Sequence, residues 1–234
     1  MFFGYSIHDI PFSSRLDFEQ SLLFDLLCSS DHAAMYTGTG CDHILADPIP
    51  TELFALAMRQ DAVTFAHGMR VGMHAREMAK ALGMSKEEEN HFTMACCLHD
   101  IGKVLLPNEL LAKKLPLEAD EMALIREHPV LGAELLTSVL GSRAPELLTI
   151  VRSHHERWDG TGYPDGLYGT AIPKWARMCA VLDSYDAMTR QRSYNRVKTD
   201  AQARDELWRQ RGRQFDSYFV ELFLNMSPSS ITTT

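Results

Sequence analysis

Apolar residues recur at helical spacing through most of this chain, and strand-type alternation is scarce. From Thr51 to Leu82 the pattern predicts one or two helices, ending before Gly83, a residue type common just past a helix C-terminus. Ser85 and Glu88 form a capping box for the next helix, on which Phe92, Ala95, Cys96 and His99 fall on one face. A further helix is expected around Asp120 to His128, ending near Pro129. Pro145 suits a first helical turn, after which Leu147, Ile150, Val151 and His154 share a face. Ala176, Cys179, Ala180, Asp183 and Ala187 make another stripe. Gly160 to Gly169 reads as a loop between helices. The predicted fold class is all-α, a helical bundle.

The chain changes character near Asp47-Pro48-Ile49-Pro50. Before that point lie short apolar pieces such as Leu22 to Leu27, broken by Tyr36-Thr37-Gly38-Thr39-Gly40. Residues 1–50 are therefore expected to be a short N-terminal segment of unassigned role, and 51–234 one domain. No apolar run approaches the roughly 18 residues of a membrane span. Met1 to Ser14 lacks the basic and apolar regions of a secretory signal. Five cysteines are an odd number without zinc-site spacing, and Cys96-Cys97 sits in an apolar stretch as buried free thiols do. The expected compartment is reducing cytoplasm. A formal net charge of −8 argues against a broad groove for a nucleic-acid polymer. It leaves room for a small phosphorylated substrate, because bound divalent ions invert the local potential.

The candidate chemistry rests on a set rather than on one motif. A His-Asp pair carries little by itself, as a second copy at His8-Asp9 shows. The set is His67, His99, Asp100, His128, His154, His155 and Asp183, four of which lie on or end the apolar stripes. Imidazoles and carboxylates directed into one bundle each carry a desolvation or pairing cost. Sharing metal offsets that cost, and helical bundles build di-metal sites from such ligands on facing helices. Neighbours in a helix diverge by about 100°, so His99 and Asp100 hold one ion between them or straddle two. A carboxylate has two oxygens, which makes Asp100 the expected bridge.

His99-Asp100-Ile101-Gly102-Lys103, then His128-Pro129, then His154-His155-Glu156-Arg157-Trp158-Asp159-Gly160-Thr161-Gly162-Tyr163-Pro164 closely resembles the HD-GYP signature. The likeness continues through Ile172-Pro173, Asp183-Ser184-Tyr185-Asp186-Ala187 and Arg192-Ser193-Tyr194 to Gly212–Phe219, which looks like the family's closing helix. It covers about residues 60 to 226. The resemblance implies a helical core of HD-superfamily type and hydrolysis of a cyclic dinucleotide, with cyclic di-GMP the first expectation. It implies one ion held by His67, His99, Asp100 and Asp183, and a second by Asp100, His128, His154 and His155. It favours iron or manganese, a choice that ligand type alone does not make. A hydroxide bridging two such ions would attack phosphorus in line with the leaving 3′-oxygen, giving linear pGpG, with GMP formed slowly if at all.

Lys103, four residues beyond His99, matches the family's lysine and is expected to neutralise a phosphate; with Asp100 it makes up the expected catalytic pair. Arg192 and Tyr194 match the family's substrate-contacting pair. The Gly162-Tyr163-Pro164 loop is implied to contact GGDEF-domain partners. Trinuclear members carry a glutamate four residues before the first histidine; here that position is Val63, and Asp61 lies on a different helical face, so two ions are expected. Lys113-Lys114-Leu115-Pro116-Leu117 lacks the family's Pro-Gly turn, and Asn195 stands where many members have a basic residue. These departures bear on cyclic di-GMP against cyclic GMP-AMP. The competing readings are a signalling module that binds a dinucleotide or a GGDEF partner without useful turnover, and an HD phosphohydrolase of another substrate class.

Overall fold

The computed structural model describes residue 57 and residues 61–113, 116–140, 145–190 and 197–226. These belong to a compact unit that begins at Ala57. Nine α-helices lie among the described residues: α1 Ala62–Ala81, α2 Lys86–Cys97, α3 Asn108–Leu111, α4 Ala119–Ile125, α5 His128–Leu140, α6 Pro145–Ser153, α7 Lys174–Thr189, α8 Asp200–Gln210 and α9 Ser217–Asn225. Two 3₁₀ helices, Ile101–Leu105 and Gly169–Ala171, punctuate them. Among the described residues extended backbone pairs only at two isolated bridges, Asp159–Tyr168 and Arg211–Phe215. The class is all-α, as the periodicity predicts.

Helix boundaries follow from local chemistry, and several differ from expectation. Asp61 caps α1 by accepting from the Val63 amide, while residues 51–56 and 58–60 of the expected longer helix lie outside the described residues. Ser85 and Glu88 form both bonds of the capping box on α2. That helix stops at Cys97, so His99 is not on it. The Ile101 amide donates to the Leu98 carbonyl, three residues back, and the chain tightens into 3₁₀ pitch with His99 and Asp100 in the turn. The segment expected to run to Pro129 is two helices instead. Pro129 sits in the first turn of α5, where its missing N–H has no intrahelical partner to lose. The closing helix is likewise shifted: Gly212–Phe215 makes a turn, and α9 begins at Ser217 with Asp216 as its cap.

Helix α7 is the hub, packing against α1, α6, α8 and α9, while α2 lies on α1 and α6. Phe92, Met78, Leu136, Ile150, Leu182 and Phe223 are fully buried between these layers, each contributing about 1.5–3 kcal/mol on leaving water. Two glycine seams set how closely the layers approach. A Cβ at Gly68 would lie 2.4 Å from the Cys97 carbonyl oxygen, and one at Gly72 would lie 2.1 Å from Cys97 Sγ. A Cβ at Gly102 would lie 1.9 Å from the His128 carbonyl oxygen and 2.5 Å from Gly132 N. Bare backbone at these positions draws His67 toward His99 and Asp100 toward His128.

Candidate metal centre

Three histidines are aimed by the same local device. His99 Nδ1 donates to the Cys96 carbonyl at 2.7 Å, His128 Nδ1 to Ile125 at 2.7 Å and His154 Nδ1 to Val151 at 2.8 Å. Each acceptor lies three residues back, in the last turn of α2, α4 or α6, where carbonyls lack intrahelical partners. A carbonyl only accepts, so the proton of each neutral ring sits on Nδ1 and the Nε2 lone pair faces inward.

His67 is held differently. From α1 its Nδ1 donates to Asp186 Oδ2 at 2.7 Å, and the same carboxylate takes two hydrogen bonds from Arg70, at 2.7 and 2.9 Å. Burial pushes the Asp186 carboxyl upward, but His67 and Arg70 outweigh it and bring the group down to about 2. His67 Nε2 then faces Asp183 Oδ1 on α7 at 2.9 Å.

Asp100 stands between the two groups of ligands. Its Oδ1 is 3.1 Å from His128 Nε2 and 3.7 Å from His154 Nε2. Its Oδ2 is 3.4 Å from His99 Nε2 and receives the Lys103 ammonium at 2.6 Å. His99 Nε2 in turn is 3.8 Å from Asp183 Oδ1. Two donor sets result, His67, His99 and Asp183 in one and Asp100, His128, His154 and His155 in the other, with ligand atoms in each within 4.8 Å of one another. All seven residues singled out from the sequence are brought together. Five are buried, and His155 and Asp183 are half-buried.

The donor chemistry fits divalent cations. His128 Nε2 and His154 Nε2 are 3.3 Å apart, yet with both ring protons on Nδ1 neither can donate to the other. Two ligand atoms each about 2.1 Å from one ion stand roughly 3.0–3.4 Å apart at octahedral or tetrahedral angles. His99 Nε2 and Asp100 Oδ1 are buried with no hydrogen-bond partner, a cost of about 1–3 kcal/mol each that a bound cation removes. These groups also shift one another's protonation. Burial pulls the His99 imidazole down, but the Asp100 carboxylate overrides it and lifts the group to about 10. Burial raises Asp183, and hydrogen bonding to His67 with the charge of His99 carries it well below the usual carboxylate range. His154 is lowered to about 4 by burial, with the charges of His99 and His128 adding to it and Asp100 opposing.

Beside this centre opens a cavity of about 220 Å³, lined by His154, His155, Asp183, Arg126, Arg157 and Tyr163 among others. Tyr163 stacks on the His155 ring, with centroids 4.8 Å apart and 26° between planes. The Arg126 guanidinium lies over the Tyr163 ring, 5.2 Å from its centroid. The loop carrying Tyr163 is shaped by buried Glu156, which accepts from the Asp165 amide at 2.7 Å and the Leu167 amide at 3.0 Å.

Lys103 is not on a helical face shared with His99; it lies in the 3₁₀ turn and pairs with Asp100. Arg192 and Tyr194 lie outside the described residues. His74 is buried against Tyr185, apart from both donor sets, and His91 is exposed, so neither joins the centre. Sequence reasoning gave no role to Asp186, Arg70 or Arg126. The signal for the first two was present: Asp186 follows Asp183 by three residues and Arg70 follows His67 by three, spacing that keeps a helical face.

The sequence profile of the HD domain family matches residues 50–218. The chain is 38% identical over 161 residues to a 3′3′-cGAMP-specific phosphodiesterase of Vibrio cholerae, covering 69% of this chain and 31% of that protein. It is 41% identical over 165 residues to the cyclic di-GMP phosphodiesterase response regulator RpfG of Xanthomonas campestris, covering 70% of this chain and 44% of the relative. The match thus spans less than half the length of either relative. The crystal structure of the PgpH phosphodiesterase HD domain of L. monocytogenes shares the fold, with a TM-score of 0.56 at 19% identity over 76% of this chain and 94% of that one. The profile match and the buried histidine–aspartate centre mark divalent-metal binding. This chain belongs to the HD domain family, in its HD-GYP branch.

Proposed function

We propose that this chain is a metal-dependent phosphodiesterase that opens a cyclic dinucleotide, cyclic di-GMP first, to linear pGpG, with GMP formed slowly if at all. The observation that carries the reading is the pair of adjacent donor sets with Asp100 between them. One ion would be held by His67, His99, Asp100 and Asp183, the other by Asp100, His128, His154 and His155, with iron or manganese the choice the resemblance favours. Bound there, two divalent ions supply activation of water near neutral pH and neutralisation of charge developing on phosphate. Named relatives act on cyclic di-GMP or 3′3′-cGAMP, which supports the substrate class and leaves cyclic GMP-AMP as the second substrate to test.

The chain's own residues define what else the reaction needs. His99, His128 and His154 keep their proton on Nδ1, in hydrogen bonds to carbonyls, which suits ligands rather than proton shuttles. Lys103 offers its ammonium next to Asp100, where it would balance a bound phosphate. Arg192 and Tyr194 are proposed substrate contacts, and Gly162-Tyr163-Pro164 a contact for a GGDEF-domain partner. A count of two ions rather than three is supported at the start of α1: Val63 is 66% exposed and carries no donor, and the Asp61 carboxylate is engaged by Val63 N and Thr64 Oγ1. No helix among the described residues is long and apolar enough to cross a membrane. Among the described residues, the buried thiols of Cys96 and Cys179 support a reducing cytoplasmic setting.

The deciding experiment uses anaerobically purified protein loaded with Fe²⁺ or Mn²⁺. Elemental analysis is set beside chromatography of products from cyclic di-GMP and 3′3′-cGAMP. Two ions per chain and accumulation of pGpG are expected. A fully loaded sample that binds but leaves both dinucleotides intact would make the chain a binding module instead.

A further inference from the structure

Basic side chains around the centre are mostly spoken for. The Lys103 ammonium sits 2.6 Å from Asp100. Arg157, the other arginine lining the cavity, is committed to Asp159 and Thr161. Arg70 is bound to Asp186, Arg177 to Asp216 and Arg152 to Asp165. Arg126 differs. It lines the same cavity as His154, His155 and Asp183. Among the described residues its guanidinium has no carboxylate within ion-pair distance, and the contact it makes is with the Tyr163 ring.

That contact holds the cation without neutralising it. A guanidinium over an aromatic face keeps its in-plane N–H donors available, and those donors suit two oxygens of a phosphate. Tyr163 is itself stacked on His155, so its ring links Arg126 to a proposed metal ligand. In a chain of net charge −8, an arginine that lines a polar cavity without a paired carboxylate marks where an anion is received.

We propose that Arg126 is a substrate-binding residue that receives the phosphate not undergoing cleavage. The inference rests on the phosphodiesterase reading above. A cyclic dinucleotide carries two phosphodiesters. With one at the histidine–aspartate centre, the other needs a cation within the length of one nucleotide, and Arg126 is the cavity arginine whose charge is unspent. Substrates with a single phosphate gain nothing from it.

The test compares wild type with Arg126→Ala and Arg126→Lys, and with Arg209→Ala as a control for charge alone, since Arg209 is an exposed residue paired with Asp205 on α8. In Arg126→Ala the KM for cyclic di-GMP is expected to rise at least about tenfold, the effect of losing a charge-assisted hydrogen bond, with kcat changed less than about twofold. Metal content by elemental analysis and hydrolysis of bis(p-nitrophenyl) phosphate, which has one phosphate, stay at wild-type values. Arg126→Lys falls between, and Arg209→Ala matches wild type. An unchanged KM in Arg126→Ala would overturn the proposal, as would an equal loss on both substrates. Calorimetric binding of cyclic di-GMP to metal-stripped protein separates this idea from the one beneath it. Metal-loaded wild type that binds the dinucleotide without turnover removes the phosphodiesterase reading, and weaker binding by metal-stripped Arg126→Ala than by metal-stripped wild type then still supports the contact. Equal binding by both proteins overturns it.

Discussion

Asp100 Oδ1 lies 3.1 Å from His128 Nε2, and the approach is made across the glycine contact between Gly102 and Gly132. One carboxylate therefore reaches ligands of both donor sets while its other oxygen faces His99. Position, rather than acidity alone, is what makes Asp100 the residue with most to lose.

Asp100→Ala is expected to abolish hydrolysis and to lower the metal content of both sites. The loss of metal affinity should exceed the roughly 10–100-fold that removal of an outer-shell partner costs. Elemental analysis and chelator competition read it directly. A variant that keeps wild-type metal content would show that Asp100 does not join the two sets.

Asp186→Asn leaves the seven ligands in place and removes the charge that orients His67 and anchors Arg70. Metal affinity is expected to fall about 10–100-fold at the site containing His67, with the Asp100, His128, His154 and His155 set little affected. Competition with a metal-sensing dye distinguishes a one-site loss from a two-site loss.

Gly102→Ala places a methyl group on the His128 carbonyl oxygen and against Gly132. Backbone cannot move aside as a side chain can, so overpacking of about 1–3 kcal/mol is expected. It should appear as a lower denaturation midpoint, accompanied by weaker metal binding as Asp100 is moved from His128. Unchanged metal affinity would separate the seam from the site.

His74 gives stability an acid dependence. Burial first, with Arg190, Arg70 and His67 adding to it and Asp186 opposing, lowers its imidazole from the ordinary 6.5 to about 4. Between those values the unfolded chain binds the proton and the fold does not, so stability rises with pH. The contribution is fully present above pH 6.5 and is lost as pH falls to about 4, amounting to roughly 3 kcal/mol. Urea unfolding of metal-stripped His74→Leu is expected to lose that slope relative to wild type; identical slopes would mean His74 titrates normally.

The candidate ligands were legible in sequence because four of the seven lie on or end an apolar stripe, and inward-facing imidazoles call for compensation. Helix ends were less legible. His99 reads as part of α2 until the chain tightens at Ile101, and a proline reads as a stop although the first turn of α5 accommodates Pro129. Lys103 was expected to share a helical face with His99, whereas 3₁₀ pitch turns it onto Asp100. Arg126 escaped notice for another reason. Its partner is a ring on a distant loop, and no local periodicity encodes that meeting.

The imidazoles of His99, His128 and His154 are tethered to carbonyls of the turns that precede them, not to neighbouring side chains. Unravelling of a single terminal turn of α2, α4 or α6 would thus release a ligand even while the apolar interior stayed intact. Captured ions, conversely, would clasp those turns shut, so that fraying at three helix ends and the residence of the metal become one coupled equilibrium.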